Sequence, residues 1–192
     1  MRKILIIHGH PDAGGDHYGD ALVKRYAEGA ESAGHAVRHH RINELELPLL
    51  ASASEWRDQP APEAARKAQE LVQWADHLVW LYPLWMGDMP ALLKCWIEQV
   101  FRPGFAFSDA RQGMPQKLLR GRSARVVVTM GMPGWFYRIV YRAHSVRSLC
   151  RNVLRFSGIR PVRLSLIGMV EGSQKHRDRW LTRMQRLGAA AR

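Results

Sequence analysis

Cysteine is scarce in this sequence, and long hydrophobic runs are lacking. The 192 residues include two cysteines, Cys95 and Cys150, which stand far apart with neither a CxxC motif nor a matching histidine spacing. This excludes a disulfide framework of the kind that small secreted domains need, and it fits a reducing compartment. The apolar run in MRKILIIHGH is broken within a few residues by histidine and glycine, which makes it too short for a signal peptide or a membrane span. We therefore expect a cytoplasmic protein.

Acidic residues are rare in the second half of the chain. Residues 102–192 carry 19 Lys+Arg against 3 Asp+Glu, whereas residues 1–101 carry 10 against 14, and the formal net charge is +12. Such asymmetry is compatible with a nucleic acid, an anionic membrane or a pyridine nucleotide as partner, and equally with a role in solubility alone. The arginines are dispersed, without a basic run or an aromatic-interleaved RNA-binding motif. We therefore expect no nucleic-acid partner.

Internal repeats and low-complexity segments are also lacking, and the chain instead alternates apolar runs with helical patterns. The predicted strands are Lys3–His8, His35–Ile42, Asp76–Tyr82, Ala124–Met130 and Arg160–Gly168. The predicted helices are Asp16–Ala33, Pro62–Ala75, Pro90–Phe101, Trp135–Ser157 and Ser173–Leu187. Between them, Asn43–Ala61 is expected to be irregular. Arg102–Gly121 is expected to be a long excursion with at most a short helical turn near Gln116–Leu119.

Five strands alternating with helices predict an α/β fold, a doubly wound parallel sheet with helices on both faces. No GxGxxG motif follows the first strand, which counts against the dinucleotide-binding strand order and favours the flavodoxin-like order 2-1-3-4-5. We expect residues 1–192 to form a single domain of this type. In that order the carboxyl ends of the first, third and fourth strands adjoin. The loops that follow them, GHPDAGGDHYG, PLWMGDM and GMPGW, should therefore carry the functional site.

The second of these loops is unusually bulky. Surface loops are mostly small and polar, yet this one carries Leu84, Trp85, Met86 and Met89 at the end of a central strand. This composition indicates a lined pocket for a flat apolar ligand. A tightly packed turn in which Trp85 and Met86 only complete the core is the alternative.

The first loop suits a phosphate. Gly14 and Gly15 let the chain bend tightly, and the backbone N–H groups at the start of the following helix attract an anion. Asp12 and Asp16 in the same loop would oppose an anion that they faced, so a solvated turn with an aspartate helix cap is the alternative. Histidines 8, 10, 17, 39 and 40 are poorly spaced for a metal site, and we expect no metal.

These stretches together resemble a known family. HPD after the first strand, YPLWMGDMPALLKCWIEQVF followed by GFAF, and VVVTMGMP before a tyrosine-containing helix resemble the flavodoxin-fold NAD(P)H:quinone oxidoreductases. That family includes the animal quinone reductases, the bacterial modulator-of-drug-activity type and the ancillary subunits of glutathione-gated potassium efflux. The likeness covers nearly the whole chain and is strongest over residues 78–107.

The resemblance implies a cytosolic, commonly homodimeric enzyme that holds a flavin, either FAD or FMN. It implies NAD(P)H as co-substrate and two-electron reduction of quinone-like acceptors by ping-pong hydride transfer. It also implies an alternative of a different class, a flavin-binding regulatory subunit docked on a membrane transporter, which would be the chain's one route to membrane contact.

Carried over by position, the resemblance places flavin-binding residues in all three loops. They are His10, His17 and Tyr18 at the flavin phosphate, Pro83, Leu84, Trp85 and Met86 along the ring, and Thr129, Met130, Gly131 and Met132 in the third loop. Just beyond the third loop, the animal relatives have a tyrosine and a histidine that stabilise charge on the reduced flavin. Tyr137 and His144 correspond to them, with a spacing one residue longer than in the family pattern.

Arginines recur every four or five residues in the predicted helix Trp135–Ser157, which would place them along one side of it. They are Arg138, Arg142, Arg147, Arg151 and Arg155. That side would be either a solvated face or a basic rim that attracts the phosphates of NAD(P)H or an acidic partner protein.

Overall fold

Five parallel strands form the central sheet. The computed structural model describes residues 1–12, 14, 17–109 and 114–192. The strands are β1 (Lys3–His8), β2 (Ala36–Arg41), β3 (His77–Pro83), β4 (Ser123–Thr129) and β5 (Val162–Ile167). Neighbouring strands pair in parallel in the order β2-β1-β3-β4-β5. The predicted sheet order is confirmed.

The three central strands are buried on both faces of the sheet, as their continuous apolar runs predict. Every residue of β4 is buried, and in β3 only Pro83 is partly exposed. The edge strands are more polar, since β2 exposes Arg38 and His39 and β5 exposes Arg163. The predicted edge position of the strand His35–Ile42 is therefore confirmed.

Helices cover both faces of the sheet. They are α1 (Tyr18–Ser32), α2 (Ala53–Asp58), α3 (Glu63–Trp74), α4 (Ala91–Val100), α5 (Gly134–Ile139), α6 (His144–Ser148) and α7 (Gln174–Ala189). Helices α1 and α7 pack together on one face. The opposite face is covered by α3, α4 and the segment after β4, where the rings of Trp80 and Trp96 meet edge to face at 5.4 Å. None of the described helices is long and apolar enough to cross a membrane.

The connection Asn43–Ala61 contains more structure than predicted. A 3-10 turn at Ile42–Glu44 is followed by the short helix α2. Ser52 begins this helix, because its Oγ accepts a hydrogen bond from the Glu55 backbone N–H at 3.1 Å. The Glu55 carboxylate in turn accepts from the Ala51 N–H at 3.0 Å. The spacing Ser-x-x-Glu is the sequence signal of such a helix start.

The predicted continuous helix Trp135–Ser157 is wrong. Helix α5 ends at Ile139, and α6 begins only at His144. Between them Arg142 and Ala143 have φ of 52° and 46°, a left-handed conformation that interrupts an α-helix. After α6 the chain continues as a π-helical segment to Arg155. The predicted arginine stripe along one helix is therefore also wrong, because its members lie on separate segments.

The excursion after α4 is held at its start by a buried guanidinium. Arg102 is 4% exposed, and its Nη1 donates to the carbonyls of Glu55 and Gln59, each at 3.1 Å. In the described part of the excursion, Lys117 forms a bridge with Phe107, so the predicted helical turn near Gln116–Leu119 is not formed. Residues 110–113 of the excursion, and Gly15 and Asp16 of the first loop, lie outside the described residues.

Candidate functional site

The residues that follow β1, β3 and β4 meet at one edge of the sheet. The Gly9 N–H donates to the Leu81 carbonyl at 2.7 Å, and the Leu84 N–H donates to the Thr129 carbonyl at 2.8 Å. A Cβ on Gly9 would lie 3.0 Å from Tyr82 Cβ and 3.3 Å from the Leu81 carbonyl oxygen, so this close approach leaves little room for a side chain. The first, second and third loops are therefore joined at their bases, at the switch point of the strand order.

The second loop forms a tight turn that presents two large apolar side chains. Trp85 and Asp88 exchange backbone hydrogen bonds of 2.8 and 2.9 Å. The two residues between them, Met86 and Gly87, have φ of 48° and 81°, as a type I′ turn requires. The Met86 side chain is fully exposed, and that of Trp85 is about half exposed, at 47%. A non-glycine residue in this conformation is strained, and such strain is typical of functional sites.

The first loop contacts the second through a pair of histidines. The rings of His10 and His17 stack at 4.1 Å, and the His10 ring meets that of Trp85 edge-on at 5.7 Å. His17 Nε2 lies 2.9 Å from the Asp12 carboxylate. A hydrogen bond from the Gly14 N–H, and then this contact with His17, lower the pKa of Asp12. Burial and then the charge of His17 lower the pKa of His10.

A second acidic group lies beneath the first loop and is neutralised there. Asp20 Oδ1 is 3.1 Å from Arg41 Nη2 and 3.5 Å from His8 Nδ1, and Asp20 Oδ2 accepts the His17 N–H at 3.2 Å. Burial lowers the pKa of His8 to about 4, so its ring is neutral near pH 7. Arg41 offsets the negative charge of Asp20. Asp20 therefore repels an anion at the start of α1 less than an unpaired carboxylate would.

The Tyr18 side chain, at the start of α1, is engaged within the fold. Its hydroxyl donates to the Arg177 carbonyl at 2.8 Å and so fastens the start of α1 to α7, and burial raises its pKa to about 12. The backbone N–H groups of Tyr18 and Gly19 find no acceptor in the described part of the chain. These amides, with the positive end of the helix dipole, are what α1 offers an anion.

The third loop also offers a main-chain donor. Thr129 is buried, and the Met130 N–H donates to the Ile167 carbonyl at 2.9 Å. Met132 fixes the far end of the loop by accepting from the Met169 N–H at 3.3 Å. A Cβ on Gly131 would meet no atom within 4 Å, and within the described ranges the Gly131 N–H has no acceptor. The loop therefore has room and a donor beside the Trp85 turn.

The predicted tyrosine and histidine pair is not joined by a hydrogen bond. Tyr137 is fully buried and its hydroxyl lies 2.9 Å from Ser145 Oγ. His144 is exposed, its ring centre is 6.5 Å from that of Tyr137, and its Nδ1 lies 3.1 Å from the Tyr141 carbonyl. The helix break before His144 sets this arrangement, because it brings Ser145 to the Tyr137 hydroxyl.

Sequence reasoning missed several residues of this edge. Ser145 was hidden by the unpredicted helix break, and Asp20 and Arg41 come together from different elements, so no local pattern marks them. Tyr141 was also missed. Its ring stacks with that of His144, with the ring centres 6.4 Å apart. A Cβ on Gly87 would lie within 3.9 Å of both rings, which places them beside the second loop.

The donor set of this edge fits a flat ring system that carries an anionic group. It combines apolar surface at Trp85 and Met86 with main-chain N–H groups in the first and third loops that have no acceptor among the described residues. Among the described residues, no group of three or more His, Cys, Asp or Glu is arranged to hold a metal ion. A flavin has the matching chemistry, a planar ring with polar edges and a phosphate, and the residues present fit it.

Comparisons with known proteins point in the same direction. The sequence model of the flavodoxin-like fold matches residues 2–187. A ribosyldihydronicotinamide dehydrogenase-like protein of Penicillium crustosum is 28% identical over 178 residues, which cover 79% of this chain and 64% of the fungal protein. The chain thus spans just under two thirds of that relative's length. An FMN-dependent NADH:quinone oxidoreductase of Ruegeria pomeroyi is 30% identical over 147 residues, which cover 69% of this chain and 72% of the relative.

A solved structure extends the likeness to three dimensions. The crystal structure of the protein Smu.1420 from Streptococcus mutans superposes with a TM-score of 0.85 at 26% identity and covers 98% of this chain and 99% of the other. The strand order, the family match and these relatives confirm the resemblance that the sequence motifs indicate, and the chain belongs to the flavodoxin-like fold family.

Proposed function

We propose that this protein is a flavin-dependent NAD(P)H oxidoreductase that reduces quinone-like acceptors by two electrons. The observation that carries the proposal is the convergence of three loops at the switch point of the sheet. There the exposed Trp85–Met86 turn lies against the stacked His10–His17 pair and is joined at its base to the third loop. The names of relatives such as the Ruegeria pomeroyi protein support the same activity.

We propose FMN as the flavin, in line with the name of that relative. The ring would lie along Pro83, Leu84, Trp85 and Met86, and Thr129, Met130, Gly131 and Met132 would line its other side. Of this third loop, Gly131 would contribute its backbone N–H, because the Met130 N–H is engaged with the Ile167 carbonyl. The phosphate would lie at the start of α1, near His10 and His17. Tyr18 would contribute its backbone N–H, because its hydroxyl is engaged with Arg177.

A bound flavin supplies the hydride chemistry, and the protein positions the reactants and stabilises the charge that develops. Tyr137 is proposed to stabilise the negative charge that develops during the reaction, with its hydroxyl oriented by Ser145 at 2.9 Å. His144 is proposed to act at the outer rim, beside Tyr141 and Gly87. NAD(P)H and the acceptor would use the same open edge in turn, which gives ping-pong kinetics.

We further propose that the chain is a single domain that works as a cytoplasmic homodimer. Trp135, Ile139, Val140 and Phe156 are all between 41% and 68% exposed, which is unusual for side chains this large and apolar. A second copy of the chain would cover such side chains. Light scattering coupled to gel filtration tests this proposal, and a monomer at all concentrations would contradict it.

Steady-state oxidation of NADH and NADPH with quinone acceptors tests the proposed activity. We expect parallel double-reciprocal plots, as ping-pong kinetics require, and one of the two nucleotides should be preferred. Chromatography of the cofactor released from the protein distinguishes FMN from FAD. A protein that holds flavin yet turns over negligibly with either nucleotide would contradict the enzyme and favour the regulatory subunit.

A matched pair of variants locates the activity on the Trp85 turn. Met86 and Met114 are both methionines with fully or nearly fully exposed side chains, but only Met86 lies in the candidate site. Met86→Ala should weaken flavin binding or raise the KM for the acceptor, whereas Met114→Ala should change neither. Equal kinetics for both variants and the parent would remove Met86 from the site.

A further inference from the structure

A recess lies at the amino ends of the strands, on the opposite side of the sheet from the candidate site at their carboxyl ends. It is a groove of about 560 Å³ at the amino ends of β4 and β5. Four arginines line it, namely Arg2, Arg160, Arg163 and Arg192, and Asp76 is the one acidic side chain among its described lining residues. Because a seven-residue strand such as β4 is roughly 20 Å long, this groove and the proposed flavin site are far apart.

The arginine side chains that line this groove are not paired with acidic side chains of the described residues, although the terminal main-chain oxygen of Arg192 accepts a hydrogen bond from Arg125 Nε at 2.5 Å. In the parts of the chain that the structure describes, no Asp or Glu carboxylate lies within ion-pair distance of Arg2, Arg160 or Arg163. Asp76 accepts the Lys3 backbone N–H at 2.9 Å instead. Like charges held together raise the free energy of the folded chain, and an anion between them would relieve that repulsion.

The groove continues inward to polar groups that are themselves buried. Ser123 lines it at 7% exposure, and its hydroxyl lies 2.8 Å from Nδ1 of the fully buried His77. His77 Nε2 has no partner among the described residues. Behind them the buried guanidinium of Arg125 donates to Ser165 Oγ at 2.7 Å. Burial, and then the charges of Arg125, Arg2 and Arg163, lower the pKa of His77 to about 3. The positive charges of these three arginines therefore all act at the His77 ring.

We propose that this groove is a second ligand site, which binds a small phosphate-bearing anion of the diphosphate or triphosphate class. Guanidinium groups present paired N–H donors that match phosphate oxygens, and several arginines line this groove beside the Ser123 hydroxyl. The volume falls in the range of small-molecule sites. A recess suits a compact polyanion better than the extended backbone of a nucleic acid, which needs a continuous basic surface.

Calorimetric titration with inorganic pyrophosphate near physiological salt tests the proposal. The wild-type chain should bind one pyrophosphate per protomer in a saturable manner. The double variant Arg160→Gln, Arg163→Gln should bind pyrophosphate about tenfold or more weakly, because each substitution removes charge-assisted hydrogen bonds to the anion. The control variant Arg179→Gln, Arg186→Gln makes the same charge change on exposed positions of α7 and should weaken it by less than about twofold. All four positions are exposed, and melting curves would check that both double variants are folded.

Two further readings locate the bound anion. Pyrophosphate should move the NMR resonances of the His77 ring in the wild type and leave those of the His144 ring unchanged. Saturating flavin should not weaken the binding of pyrophosphate. The proposal is overturned by a lack of saturable binding or by equal losses in the two double variants. Competition between pyrophosphate and flavin would also overturn it, by placing the anion at the opposite edge of the sheet.

Discussion

At the scale of single residues, the candidate site depends on polar partners that come from distant parts of the sequence. The family resemblance singled out Tyr137, but its partner Ser145 could not be predicted from the sequence. His17 was predicted near the phosphate, whereas its contact with Asp12 at 2.9 Å emerges only from the folded loop. Residue types and loop positions are therefore predictable here, and hydrogen-bond partners are not.

Replacing Tyr137 by phenylalanine should separate chemistry from cofactor binding. The variant removes the hydroxyl that is proposed to stabilise developing charge, so flavin reduction by NAD(P)H should slow while flavin stays bound. Ser145 Oγ, which is 3% exposed, would lose its partner, so the free energy of unfolding should fall by about 1–3 kcal/mol. Stopped-flow absorbance and urea unfolding measure the two effects.

Tyr141→Phe is the matched control for this variant. Tyr141 is 40% exposed, and its hydroxyl has no hydrogen-bond partner in the described portion of the chain. Its loss should leave stability nearly unchanged. An unaltered rate of flavin reduction in Tyr137→Phe would end the proposed role of that hydroxyl.

At the scale of elements, the strands were predictable and the long segment after β4 was not. Continuous apolar runs mark β1, β3 and β4 because both faces of these strands are buried. The break between α5 and α6 is formed by Arg142 and Ala143, residues that carry no glycine or proline signal for positive φ. Helix α2 was missed even though Ser52 and Glu55 carry a local signal for it.

The contact between α1 and α7 is another feature that the local sequence does not show, and it depends on two glycines. A Cβ on Gly29 would overlap the Gln185 carbonyl, and one on Gly188 would overlap the Tyr26 carbonyl. The two helix backbones therefore touch. Gly29→Ala should lower the free energy of unfolding by about 2 kcal/mol or more, since rigid backbone on both sides must separate.

Chemical denaturation of Gly29→Ala and of a glycine control checks this contact. Gly131→Ala is suitable, because a Cβ there would meet open space and its φ is not positive. We expect that control to unfold at nearly the wild-type denaturant concentration. If Gly29→Ala were as stable as Gly131→Ala, the close approach of α1 and α7 would be disproved.

At the scale of the whole molecule, strand order and family were predictable from the alternation of strands and helices and from three loop motifs. The arrangement of charge was not, because the count of arginines does not tell where they gather. The structure collects Arg2, Arg160 and Arg163 at one groove and separates the arginines of the segment after β4. Three histidines are buried in the interior, which no periodic pattern indicates.

These buried histidines should make the fold sensitive to acid. Burial lowers the pKa of His8 and of His40 to about 4 and contributes most to lowering that of His77 to about 3. In the unfolded chain each would titrate near the ordinary value of about 6.5. Between these values the unfolded chain binds more protons than the folded one, so stability should fall as the pH drops from about 6.5 to 4.

His40→Gln should reduce this sensitivity, because it removes one of the three buried bases. The glutamine carbonyl can still accept the hydrogen bond that Trp96 Nε1 now donates to His40 at 2.8 Å. The free energy of unfolding that the protein loses between neutral pH and pH 5 should be smaller in the variant than in the wild type by about 2 kcal/mol. Melting temperatures across this pH range measure the effect, with His144→Gln, at an exposed position, as control. Parallel pH profiles for wild type and His40→Gln would contradict it.

The absorbance spectrum of the purified protein under anaerobic conditions tests the central claim most directly. We predict a flavin band that NADH or NADPH bleaches and that a quinone then restores, with FMN as the cofactor released on denaturation. A colourless protein that takes up no added flavin would contradict the account.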